Sequence, residues 1–96
     1  MFVHHVFFWL EEGADLEALR EGVESLEAVD EIYSIHIGEA VPSERDVVDD
    51  SFDLSLLLVF ESKEDHDIYQ THPVHLQFVE ECSQLWKRVV VYDAED

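Results

Sequence analysis

Six elements in the order strand, helix, strand, strand, helix, strand are what this sequence predicts, an α+β fold, and three observations carry it. A β-branched and aromatic run opens the chain, an apolar stripe at three- and four-residue steps follows it, and the same strand-helix-strand pattern returns in the second half. With 96 residues, 47% of them hydrophobic, there is material for one core, so a single domain over residues 1–96 is expected.

The first strand is Phe2 to Leu10, too short and too aromatic for a favoured buried helix, and it ends at Glu11-Glu12-Gly13. Its alternation puts Val3, His5, Phe7 and Trp9 on one face and His4 on the other. From Asp15 to Val29 the residues Leu16, Leu19, Val23, Leu26 and Val29 form one stripe, with Asp15 as N-cap and Gly22 as a weak point, which predicts an amphipathic helix. Ile32 to Gly38 alternates as a half-buried strand, and Glu39 to Ser51 reads as a mobile acidic loop. In Phe52 to Phe60, Leu54, Leu56, Leu58 and Phe60 share one face and Leu57 and Val59 the other, which implies burial on both sides. Ser62-Lys63-Glu64-Asp65 resembles a capping box opening a short helix that carries Ile68 and Tyr69.

Pro73 then opens a further helix, because a residue without an N–H is tolerated at a first helical position, with His72 or Thr71 at the cap. Phe78, Val79, Cys82, Leu85 and Trp86 follow His75 at helical spacing, Lys87 and Arg88 suit the negative end of the helix dipole, and Val89 to Tyr92 is the last strand. This order of elements is the ferredoxin-like βαββαβ one, with right-handed crossovers and a four-stranded antiparallel sheet covered on one face. Apolar residues on the second face call for a cover, and a second copy provides a self-complementary one. A homodimer with sheets packed face to face is therefore expected.

Acidic residues number 24 against 5 basic ones, a formal charge of −19, so nucleic acid and membrane surfaces are disfavoured partners. Such a surface suits either high salt, where screening removes self-repulsion, or selection for solubility. No apolar run is long enough to span a bilayer and the start lacks a signal-peptide pattern, which makes a cytoplasmic location the expectation. The single Cys82 lies on the helical stripe and reads as a small hydrophobe.

The densest chemistry lies in Tyr69-Gln70-Thr71-His72-Pro73-Val74-His75. His75 falls on the inward face of its helix, with a second imidazole and a phenol one turn upstream. That is a set of proton donors and acceptors for a small pocket, or a core histidine satisfied by a backbone carbonyl. His5 likewise reads as an acid–base group or as a buried spacer. His4, His5, His36, His66, His72 and His75 nowhere show the i, i+4 spacing with a carboxylate that marks a zinc site, so no metal is expected. The three glycines build no phosphate loop, and no cofactor is expected.

His4-His5-Val6-Phe7-Phe8-Trp9, Ile35-His36-Ile37-Gly38, the Phe52 to Glu61 strand, the Tyr-x-x-His-Pro-x-His segment followed by Phe78-Val79, and Val89-Val90-Val91-Tyr92-Asp93 together resemble the stress-responsive A/B barrel domain. The resemblance spans nearly the whole chain and implies a dimeric α+β barrel of ferredoxin-like protomers. A plant polyketide-cyclase member of that family implies catalytic roles for the matching His5, Tyr69 and His75, while a further pocket histidine of that enzyme is replaced here by Leu54. His75 and Tyr69 would then serve as base and oxyanion donor for an aldol-type ring closure, with Trp9, Phe7, Phe78 and His72 as binding residues for a small apolar or aromatic molecule between sheet and helices. The alternative is a non-enzymatic, stress-associated structural dimer.

Overall fold

In the computed structural model, which describes residues 1–96, four strands form one antiparallel sheet in the order β2-β3-β1-β4. β1 is Phe2–Leu10, β2 Ser34–Gly38, β3 Leu54–Phe60 and β4 Trp86–Glu95; the helices are α1 Leu16–Glu24, α2 Lys63–Thr71 and α3 Pro73–Cys82. This is the ferredoxin-like α+β arrangement, with α2 and α3 sharing the place of the second crossover helix. The core lies between the helices and one sheet face, where Phe2, Val6 and Phe8 of β1 and Leu54, Leu56, Leu58 and Phe60 of β3 meet Leu19, Val23, Leu26 and Val29.

Local chemistry fixes the helix starts. The Asp15 carboxylate accepts from the Glu17 N–H at 2.9 Å, and the Ser62 hydroxyl accepts from the Asp65 N–H at 3.2 Å. α1 stops at Glu24 and the chain continues as a tight 3-10 turn, Ser25–Ala28, which is how Leu26 and Val29 stay on the buried stripe. In α2 the inward residues are His66 and Tyr69; Ile68 is 49% exposed and does not join the core.

The end of α3 departs from expectation. Helical structure finishes with a 3-10 turn at Ser83–Leu85, and Trp86, Lys87 and Arg88 belong to β4 rather than to the helix. Pairing decides this: Trp86 sits opposite Leu10 and Arg88 opposite Trp9 across a register shift, and the Arg88 guanidinium lies 4.3 Å from the centre of the Trp9 ring. Val79, placed on the buried stripe by spacing, is 37% exposed, while Phe78 and Cys82 are buried.

Gly22 permits the close approach of α1 to α3. A Cβ there would stand 2.5 Å from Cys82 Sγ and 3.1 Å from the Phe78 ring, so two neighbours would have to shift together. Gly22→Ala is therefore expected to destabilise the fold. Overpacking costs about 1–3 kcal/mol, more than the roughly 1 kcal/mol that alanine gains in helix propensity. A lower urea midpoint with an unchanged slope would show it; a higher midpoint would mean that the Cys82 side chain turns away freely.

Candidate functional site

A cavity of about 290 Å³ opens between the inner sheet face, α2 and α3. Its floor is Val6, Phe8 and Leu56, its end walls are His4 with Asp93 on one side and Phe78 with Trp86 on the other, and Tyr69, Gln70 and His75 project from the helix corner. Val79, Val89 and Val91 also line it and are exposed, so the mouth lies between α3 and the edge strand β4. An apolar chamber with a few convergent polar groups is the usual form of a small-molecule site.

The helix corner sets the orientation of its polar groups. His72 ends α2 and begins α3, and its Nδ1 accepts from the Val74 N–H at 3.1 Å. That ring therefore caps a helix and does not line the cavity, which corrects its assignment as a binding residue. Pro73 follows at the first helical position, and two residues later His75 turns back over α2, its Nδ1 3.0 Å from the Gln70 carbonyl. A carbonyl only accepts, so Nδ1 carries the proton and Nε2 keeps a lone pair. Burial lowers the His75 pKa below the ordinary imidazole value, outweighing the Gln70 bond that favours the cation. His75 is thus a neutral base with a fixed tautomer.

Tyr69 is 1% exposed, and its ring centre lies 4.4 Å from that of His75. Burial alone raises its phenol above the ordinary range, with no hydrogen bond offsetting it. The hydroxyl is therefore a neutral donor with no partner inside the protein. On the opposite wall, His4 Nδ1 is 2.6 Å from Asp93 Oδ1. Burial lowers the His4 pKa, and the Asp93 bond and charge only partly restore it.

Of the residues singled out from sequence, Tyr69, His75 and Phe78 converge here; His5, Phe7 and Trp9 do not. All three project from the other face of β1, where Phe7 and Trp9 line a shallow depression of about 130 Å³ with Phe52, Arg88, Val90 and Tyr92. His5 stacks against Phe7 at 4.2 Å between ring centres, and burial with the nearby His36 lowers its pKa. The physical reason is the two-residue period of a strand: the imidazole that reaches Tyr69, 5.9 Å between ring centres, is His4, one position earlier. Both faces of β1 are equally apolar, Phe2, Val6 and Phe8 against Val3, Phe7 and Trp9, so the pattern did not reveal which face the helices cover. Asp93 was missed as part of an acidic tail. Its signal was the strand register, which pairs it with His4.

Comparison with known proteins agrees with this architecture. No curated protein matches the chain in sequence. Among solved structures, a protein of Arabidopsis thaliana superposes with a TM-score of 0.83 at 21% identity, over 100% of this chain and 95% of its own. A dimeric ferredoxin-like protein of unknown function from Jannaschia superposes with a TM-score of 0.78 at 18% identity, over 99% and 98%. The hydroxynitrile lyase of Passiflora edulis does so with a TM-score of 0.79 at 16% identity, over 97% and 90%. At these identities the likeness is one of fold. The family model of the stress-responsive A/B barrel domain matches residues 2–96, and the chain belongs to that family.

Proposed function

We propose that the cavity binds a small, mainly apolar or aromatic molecule bearing one or two oxygens, and that Tyr69 and His75 act on it as donor and base in cyclase-like acid–base chemistry. The observation that carries this reading is the Tyr69 hydroxyl, which bonds to no protein group and opens on the cavity, beside an imidazole whose Nδ1 is pinned to the Gln70 carbonyl. A purely structural corner has no need of a phenol that bonds to nothing in the fold, whereas a hydroxyl opening on a cavity is free to donate to a bound molecule. A cavity of 150 Å³ accepts benzene, so about 290 Å³ accommodates one ring with a short side chain. Proton abstraction next to a carbonyl, with the developing oxyanion held by the phenol, uses both groups in the protonation states described above. In this reading a second copy covers the outer sheet face and completes the assembly; a ferredoxin-like protein of similar fold is described as dimeric.

The non-enzymatic reading draws on one observation, the backbone bond that already satisfies His75 Nδ1. Calorimetric titration of aryl ketones into the wild type and into Tyr69→Phe separates the two. The substitution is expected to weaken binding by up to about tenfold, the worth of one neutral hydrogen bond, and to leave the melting temperature unchanged because the hydroxyl bonds to nothing within the fold. A sharp fall in melting temperature with affinity untouched would assign the phenol to structure.

A further inference from the structure

We propose that His4, His66 and Asp93 form a binding site for a divalent transition-metal ion of the zinc and cobalt class at the end of the cavity. The three side chains come from β1, α2 and β4, and one ligand atom from each lies within 4.8 Å of the others. Two of them are nearly enclosed, His4 at 6% and His66 at 8% exposure, and their ring centres are 5.0 Å apart. Two imidazoles and a carboxylate form a donor set that favours zinc, cobalt, nickel, copper or ferrous iron over magnesium and calcium. Three protein ligands also leave coordination positions open.

The surroundings of His66 suit a ligand. Its Nδ1 is 3.2 Å from Asp67 Oδ1 and its Nε2 is 3.0 Å from the Gln70 amide nitrogen. An amide nitrogen donates, so Nδ1 carries the proton toward Asp67 and Nε2 holds the lone pair, which the Gln70 amide occupies and must release for the ion to bind. A carboxylate bonded to the far nitrogen of an imidazole is the arrangement that orients metal-bound histidines and raises their basicity. The ring is also held by stacking on Phe2, 4.3 Å between centres, and by the edge of Phe60. At His4 the ion takes the place between Nδ1 and Asp93 Oδ1, and the single proton of the neutral ring moves from Nδ1 to Nε2. His4 and Asp93 line the cavity, so an ion between them borders the space in which a small molecule would sit.

This site does not depend on the acid–base reading, since neither Tyr69 nor His75 is among its ligands. The test is titration of Co²⁺ and Zn²⁺ into chelator-treated protein, with a millimolar excess of Mg²⁺ to occupy surface carboxylates. Cobalt absorption and calorimetry report binding. One ion per chain is expected, with the intense visible band of a low-coordinate cobalt site. His66→Phe, which keeps the stack on Phe2, and Asp93→Asn, at a strand position that needs no repacking, should each weaken binding by more than about tenfold. Asp67→Asn should weaken it by about 10- to 100-fold. Tyr69→Phe and the outer-face His36→Ala should bind as the wild type does, which separates failure of this site from failure of the acid–base pair. Absence of saturable binding under magnesium, or equal affinity in Asp93→Asn, would overturn the proposal.

Discussion

Replacing Phe60 with alanine is expected to remove about 3–5 kcal/mol of stability, a large part of what a domain of this size has in total. Phe60 is fully buried at the end of β3, and its ring packs at 5.3 Å from Tyr69, 5.5 Å from His66 and 6.4 Å from Phe2 between centres. The loss therefore combines the transfer of an aromatic ring to water with a void that three rigid neighbours cannot close. Thermal melting should fall by more than about 10 °C, since each kcal/mol moves the midpoint of a small domain by roughly 4–8 °C. Phe60→Leu should recover most of it by keeping the site apolar and partly filled. A melting temperature for the alanine variant within a few degrees of the wild type would mean that Tyr69 and His66 collapse into the space, and the same movement would distort the cavity wall.

This dependence shows how the core and the candidate site are built from the same residues, and it explains which parts were legible in the sequence. α1 and the turn that continues it were legible because their apolar stripe is one-sided: Leu19, Val23, Leu26 and Val29 have acidic residues on the other face, so only one burial solution exists. β3 was legible at period two because Leu54, Leu56, Leu58 and Phe60 make one face wholly apolar, while Asp53 and Ser55 interrupt the face that carries Leu57 and Val59. That His75 faces inward was legible because Pro73 fixes where α3 begins and hence which way its first turn faces. β1 resisted because a strand apolar on both faces has two equivalent readings, and a shift of one residue exchanges His4 for His5. The start of β4 resisted because Lys87 and Arg88 satisfy a helix dipole as readily as they satisfy an edge strand. Only pairing with Trp9 and Leu10, some eighty residues away in sequence, decides between them. His66 and Asp93 were invisible as a pair for the same reason: their proximity is created by the sheet register and the crossover, which no local spacing encodes.

Leu57→Asp is expected to turn a dimer into a monomer without disturbing the helix-covered core. On the outer face, a row runs across all four strands: His36 of β2 and His5 of β1 both register with Leu57, and Tyr92 of β4 registers with His5. Val3, Phe7, Val59 and Val90 flank that row, half-buried within a single chain and without helices above them. A face-to-face assembly about a two-fold axis brings this row against its own copy, so one substitution introduces two carboxylates into the same dry layer. Each must be desolvated with only the His5 and His36 imidazoles beside it, and the two repel one another, which weakens association by about a hundredfold or more. Nothing on the inner face changes, because Leu57 projects away from Leu56 and Leu58, so the far-ultraviolet dichroism should match the wild type. Light scattering at micromolar concentration should give twice the 11.2 kDa chain mass for the wild type and the chain mass itself for the variant. A monomeric wild type would remove the dimer altogether. A dimeric variant would move the interface off this face, to the exposed edge of β4 or β2, and would leave the outer face of Val3, Phe7, Leu57, Val59 and Val90 to be explained by another occupant.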